Sequence, residues 1–177
     1  MTNKSSKTAY FAFMSGDFIP QNWQDLSKPE KYEQVQSQIL GILDKTVTET
    51  ANLANAAALL KVAFGWWWVG FYQKQNETLI LGPFQGPVAC TKIAYGKGVC
   101  GSSWKEEKTL IVPNVEEFPG HIACSAASKS EIVVPIYTSN GKFWGVLDAD
   151  SEHLSHFDEL DGAELEIFCR TLASILS

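Results

Sequence analysis

Residues 66–84 read as a β-hairpin, and that hairpin confines the chain to folds built on an antiparallel sheet. Residues 66–73 are dense in tryptophan, valine, phenylalanine and tyrosine, Gln75-Asn76-Glu77 supplies a turn, and residues 78–84 return. A second hairpin comes late in the chain, over 131–138, the turn Ser139-Asn140-Gly141, and 142–150. Helical patterns flank both. Ser27-Lys28-Pro29-Glu30 is a capping box with proline in the first turn, ahead of Tyr32, Val35, Ile39, Ile42 and Leu43 at helical spacing. An alanine- and leucine-rich helix over 48–64 stops at Gly65, and 157–176 makes a closing helix with Leu160, Ala163, Glu164, Ile167, Phe168 and Leu172 on one face. Between the hairpins lie a strand at 90–95, a short helix at 99–107 opened by Gly96-Lys97-Gly98, and a strand at 109–112. The predicted class is α+β, a single domain with an antiparallel sheet and helices mainly on one face. That domain runs over 27–177, and 1–26 form an N-terminal arm that docks in part through Phe11, Phe13, Phe18 or Trp23.

A net charge of −6 and a pI near 5.0 speak against a nucleic-acid surface, which needs a clustered basic patch, and give an anionic membrane little to attract. The first 20 residues hold only a short apolar patch, 9–14, interrupted by Gly16 and Asp17, so neither a signal peptide nor a membrane span is expected. The expected location is the cytoplasm, a reducing compartment that does not keep structural disulfides. Cys90, Cys100 and Cys124 in the glycine-rich middle of such a chain point to redox chemistry or metal binding. His121-x-x-Cys124 has metal-like spacing, but no Cys-x-x-Cys accompanies it. Cys169 is expected to be an inert buried thiol, and His153 and His156 to sit in solvent.

Strand alternation puts Trp66, Trp68, Gly70 and Tyr72 on one face, with Trp67, Val69 and Phe71 on the other. Trp68 and Tyr72 flank a glycine, which suits either aromatic core packing or a wall for a small ligand. On the late hairpin, Asp148 and Asp150 point the same way as Trp144 and Val146, and Glu131 opens the partner strand. Carboxylates on one strand face repel unless a cation or a proton lies between them. Three converging on one pocket suit an ammonium group and a reaction that consumes a proton. The 113–130 segment has turn signals and no period, and loops of that length in compact domains are usually functional.

Gly82-Pro83-Phe84-Gln85-Gly86, Cys90, Gly96-x-Gly98-Val99-Cys100-Gly101 and Val112-Pro113-Asn114-Val115 form a series of blocks. It continues through Phe118-Pro119-Gly120-His121-Ile122-Ala123-Cys124, Ser128-x-Ser130-Glu131 and Gly145-Val146-Leu147-Asp148-x-Asp150-Ser151. This series resembles the free methionine-(R)-sulfoxide reductases, a family of stand-alone GAF domains, from about Tyr32 onward. The resemblance implies reduction of free L-methionine (R)-sulfoxide without a bound cofactor or metal. The reductant would be thioredoxin, itself recharged by NADPH through thioredoxin reductase. It makes Cys124 the attacking thiolate that becomes a sulfenic acid, and Cys90 the residue that resolves it to a disulfide, with Cys100 as alternative or relay. Glu131, Asp148 and Asp150 would take the ammonium and the sulfoxide oxygen, while Trp68 and Tyr72 enclose the S-methyl end. A homodimer is expected because GAF domains often pair through helices. Two further readings stand beside the enzyme: a non-catalytic GAF sensor binding a small ligand, and an interaction domain stabilised by zinc on His121 and the cysteines.

Overall fold

The computed structural model describes residues 22–120 and 127–177. His121 and Cys124 therefore lie outside the described residues, as do Phe11, Phe13 and Phe18 of the arm. The described residues open with a 3-10 turn, Trp23–Asp25, and then α1 (Lys28–Ile42) and α2 (Glu49–Phe64). Six strands follow: β1 (Trp68–Gln75), β2 (Thr78–Gln85), β3 (Lys92–Ala94), β4 (Leu110–Val112), β5 (Ser130–Tyr137) and β6 (Phe143–Ser151). α3 (Gly98–Glu106) lies between β3 and β4, and α4 (Glu159–Leu172) closes the chain. All strand pairs are antiparallel, in the order β3-β2-β1-β6-β5-β4.

Local chemistry sets the boundaries. Glu30 accepts from the Ser27 backbone N–H at 2.8 Å and from its hydroxyl at 2.6 Å, the expected start of α1. Thr48 caps α2, and Gly65 ends it in the left-handed region at φ 68°, where a side chain is disfavoured. Asp158 caps α4 by accepting from the N–H groups of Leu160 and Asp161.

The sheet separates two apolar clusters. On one side Val69, Phe71, Ile132, Val134, Leu147 and Ala149 meet Tyr32, Val35 and Ile39 of α1, Leu53 and Leu60 of α2, and Leu165, Phe168 and Leu172 of α4. Trp23, from the predicted arm, belongs to this core, and its Nε1 donates to the Ala63 carbonyl at 2.8 Å. On the other side Trp68, Tyr72, Leu79, Val133 and Val146 meet Val99, Cys100 and Trp104 of α3. Three helices on one face and a short one opposite is the predicted α+β arrangement.

The details depart from the sequence expectation at four places. β1 begins only at Trp68, so Trp66 precedes the pleat, stacks on Phe64 at 4.7 Å and joins the helical-side core rather than sharing a face with Trp68. Ile136 pairs with Gly145 but Tyr137 pairs with Phe143, which leaves Trp144 bulged. The bulge turns Trp144 onto the helical side, where its Nε1 donates to Glu49 at 3.4 Å, away from Val146. In α4 the buried residues are Asp161, Gly162, Leu165, Phe168, Cys169 and Leu172, while Ala163 and Ile167 are exposed. Asp161 is drawn inward by bonds from Tyr32 and Lys28, which rotates the helix relative to its apolar pattern. His156, finally, is half-buried against Phe157 with Nδ1 2.6 Å from the Ser151 hydroxyl, whereas His153 is exposed as expected.

Candidate active site

The register of three central strands gathers the polar residues. Asp150 lies opposite Trp68 on β1 and Glu131 on β5; Asp148 lies opposite Gly70 and Val133. With a period of two, Trp68, Asp148, Asp150 and Glu131 share the sheet face that looks toward α3. A cavity of about 60 Å³ opens there, floored by Glu131, Asp148 and Asp150, flanked by Trp68, Tyr72 and Cys100, and rimmed by residues 87–89 and Ser128. Six of the eight residues singled out in the sequence thus line one cavity. Cys90 follows its 87–89 rim without lining it, and Cys124 is outside the described residues.

The aromatic wall is present, but the space over Gly70 is filled by the neighbouring tryptophan. A Cβ on Gly70 would stand 2.6 Å from Trp68 Cη2 and 2.4 Å from Phe84 Cβ, so the glycine lets the indole lie flat against the strand. Trp68 stacks on Phe84 at 5.3 Å and on Tyr72 at 5.9 Å, and its Nε1 donates to the Pro87 carbonyl at 3.1 Å. The Tyr72 hydroxyl donates to the Cys90 carbonyl at 3.0 Å, which ties the cysteine's loop to the wall.

The acidic floor is held in an unfavourable state. Burial pushes the Glu131 and Asp148 carboxyls well above the usual range, and neighbouring carboxylates add to it: Asp148 and then Asp150 for Glu131, Asp150 for Asp148. Asp150 is pushed up to about 6 by burial, an effect limited by the Ser128 hydroxyl that donates to it at 2.5 Å. Among the described residues no lysine, arginine or histidine forms an ion pair with any of the three. Asp148 Oδ1 is buried without a hydrogen-bond partner. A carboxylate oxygen left so is costly unless a ligand supplies the missing donor.

The cysteines differ from one another. Cys90 is disulfide-bonded, while Cys100 and Cys169 are free and buried. Burial, then the charges of Asp148 and Glu131, push the Cys100 thiol well up, so it stays protonated; its Sγ lies 4.0 Å from Glu131 Oε1. Burial likewise raises the Cys169 thiol on the far side of the sheet, the inert role expected of it. Cys100 Sγ and one oxygen each of Glu131 and Asp148 lie within 4.8 Å of one another, the group among the described residues best placed to hold a cation. Sequence reasoning missed Ser128, whose bond to Asp150 had no signal beyond its place in the Ser128-x-Ser130-Glu131 block.

The chain has an antiparallel sheet with a cavity between one face and a short helix, and the GAF domain family model matches residues 43–177. The GAF domain-containing protein A of Dictyostelium discoideum is 57% identical over 136 residues, 76% of this chain and 85% of its own length. The free methionine-R-sulfoxide reductase of Saccharomyces cerevisiae is 45% identical over 150 residues, covering 80% of this chain and 83% of its own. The structure of free methionine-R-sulfoxide reductase from Neisseria meningitidis in complex with its substrate superposes with a TM-score of 0.76 at 48% identity, over 83% of this chain and 86% of that one. The chain belongs to the free methionine-R-sulfoxide reductase family of GAF domains.

Proposed function

We infer that this protein reduces free L-methionine (R)-sulfoxide to methionine. The observation that carries the reading is the buried carboxylate floor with an unpartnered oxygen and, among the described residues, no cation paired with it, flanked by two aromatic rings and Cys100. A free amino acid brings the ammonium that this floor lacks. Its S-methyl end fits against Trp68 and Tyr72, and its sulfoxide oxygen reaches a carboxyl that burial keeps protonated.

In the proposed cycle the thiolate of Cys124 attacks the sulfoxide sulfur. The oxygen passes to the cysteine as a sulfenic acid with uptake of one proton, and methionine leaves. The Cys90 thiol then condenses with the sulfenic acid, releasing water and forming a disulfide. Thioredoxin returns both cysteines to thiols by exchange. The disulfide at Cys90 and the free, protonated thiol at Cys100 support Cys90 as the resolving residue and a secondary role for Cys100. Two copies of the chain are expected to pair, as GAF domains commonly do.

Specificity for the free amino acid follows from the same charges. A peptide-bound residue has no ammonium, so the buried carboxylates stay unpaired, a mismatch that sites of this kind turn into discrimination of about 10⁴-fold. The test is NADPH consumption in the presence of thioredoxin and thioredoxin reductase, with the R and S forms of free methionine sulfoxide offered separately. Consumption with R alone is expected, and Cys124→Ser should abolish it. Binding of either form without any NADPH consumption would overturn the reading in favour of a sensor.

A further inference from the structure

The floor of the cavity matches a second kind of cation. Cys100 projects from α3 onto the two strands that carry Glu131 and Asp148, and the three ligand-type atoms lie within 4.8 Å of one another, all buried. Asp148 is only 6% exposed and its Oδ1 has no hydrogen-bond partner. A sulfur and two carboxylate oxygens this close, with an unpaired oxygen on one of the two carboxyls, describe three sides of a coordination sphere. We propose that Cys100, Glu131 and Asp148 form a binding site for a thiophilic divalent cation, Zn²⁺ in the first instance, which occupies the place of the amino acid's ammonium.

The donor set selects the ion. A thiolate ligand disfavours Mg²⁺ and Ca²⁺, which take oxygen donors, and favours Zn²⁺ and its tetrahedral substitutes. Zinc bonds of about 2.3 Å to sulfur and 2.0–2.2 Å to oxygen require ligand atoms roughly 3.3–3.7 Å apart around a tetrahedron. The 4.0 Å from Cys100 Sγ to Glu131 Oε1 is already close to that, and the rest of the trio closes by about an ångström. Three protein ligands leave one position open toward the cavity for water. Binding displaces the proton of Cys100 and those of the carboxyls, so affinity rises with pH. The set differs from the His121 and cysteine site considered from sequence, because Cys100 is joined by strand carboxylates rather than by a histidine.

Exclusion of the amino acid by the metal rests on the function proposed above, whereas the binding of the cation does not. Co²⁺ added to the reduced, metal-free full chain reports it without any enzymatic readout. The expected result is a thiolate-to-cobalt charge-transfer band that saturates at one equivalent and is erased by Zn²⁺. Cys100→Ser should remove the band with the circular dichroism unchanged. Asp148→Asn should weaken binding at least tenfold, and a Cys90→Ser, Cys124→Ser double variant should keep the band. No saturable binding, a band that survives Cys100→Ser, or one lost only with Cys124 overturns the site. Free methionine (R)-sulfoxide should bleach the cobalt band; a band that persists at saturating sulfoxide in a protein that reduces it overturns the exclusion. A protein that never reduces the sulfoxide removes the proposed function alone, and the Cys100→Ser result still decides the metal site.

Discussion

Two buried acidic clusters lie on opposite sides of the same sheet, and they are built in opposite ways. On the helical side Asp161 is 2% exposed and fully partnered. Its Oδ1 accepts from the Tyr32 hydroxyl at 2.7 Å, and its Oδ2 accepts from Lys28 Nζ at 2.7 Å and the Asp158 N–H at 2.8 Å. On the α3 side Asp148 is 6% exposed with one oxygen orphaned, and its nearest titrating neighbours are other acids and a thiol. The first carboxylate joins α1 to α4; its donors come from the fold. Among the described residues the second is surrounded by acids and a thiol, so its missing donor is expected from a ligand. A buried charge that is already satisfied reads as architecture, and one that is not reads as a ligand site.

Neutralising the two residues should therefore have opposite consequences, and the larger is at Asp148. Asp148→Asn removes the ammonium's counter-charge, so kcat/KM for free methionine (R)-sulfoxide should fall by about 100-fold or more, equivalent to roughly 3 kcal/mol. The same change relieves an unpaired buried carboxyl, and the ligand-free protein should melt no lower than the parent. Thermal unfolding and steady-state kinetics on one preparation check both. A variant that loses stability in step with activity would mean that Asp148 serves the fold.

The pocket acids also set an unusual pH dependence. The Asp150 carboxyl holds its proton to about pH 6 in the folded chain, against 3.8 for the ordinary group. Between those values the unfolded chain has released the proton and the folded chain keeps it, so stability falls as pH rises through the window. The loss is about 2–3 kcal/mol, complete above pH 6, with Glu131 and Asp148 acting in the same direction. Asp150→Asn should flatten the slope of unfolding free energy between pH 4 and pH 6. An unchanged slope would place the neutral pocket acids elsewhere.

On the helical side the effect is on stability alone. Asp161→Asn breaks a charge-assisted bond to Lys28 and weakens those from Tyr32 and the Asp158 N–H, at a cost of about 2–3 kcal/mol. Denaturant unfolding measures it. The folded fraction should keep the parent kcat/KM, since Asp161 lies across the sheet from the cavity.

These two clusters were not equally legible in the sequence. The pocket acids were, because Asp148 and Asp150 sit two apart on one strand and Glu131 opens its hairpin partner, so period-two alternation brings them together. Asp161 was not, because its partners Tyr32 and Lys28 are about 130 residues away, and helix-to-helix docking leaves no local pattern. Trp144 was placed on the wrong face for a related reason. A bulge inverts alternation, and nothing in Lys142-Phe143-Trp144-Gly145 announces where the extra residue falls. The contact of Cys100 with the carboxylates likewise depends on how α3 seats on the sheet. Motif spacing finds residues on one element; only packing brings separate elements together.

The smallest expected effect tests how the partnered cluster is held. Lys28 bonds both Asp161 at 2.7 Å and Asp158 at 2.9 Å, yet its side chain is 35% exposed and that of Asp158 59%. Water reaches the ammonium, so its attraction for Asp161 is screened. Tyr32, by contrast, is fully buried and donates to Asp161 from inside the core. Lys28→Gln keeps an amide within reach of the carboxylate and should lower unfolding free energy by about 1 kcal/mol or less, most visibly at low ionic strength. If it costs as much as Asp161→Asn, the lysine's charge rather than the buried hydroxyl secures Asp161. The contrast with the pocket would then reduce to the presence or absence of one cation.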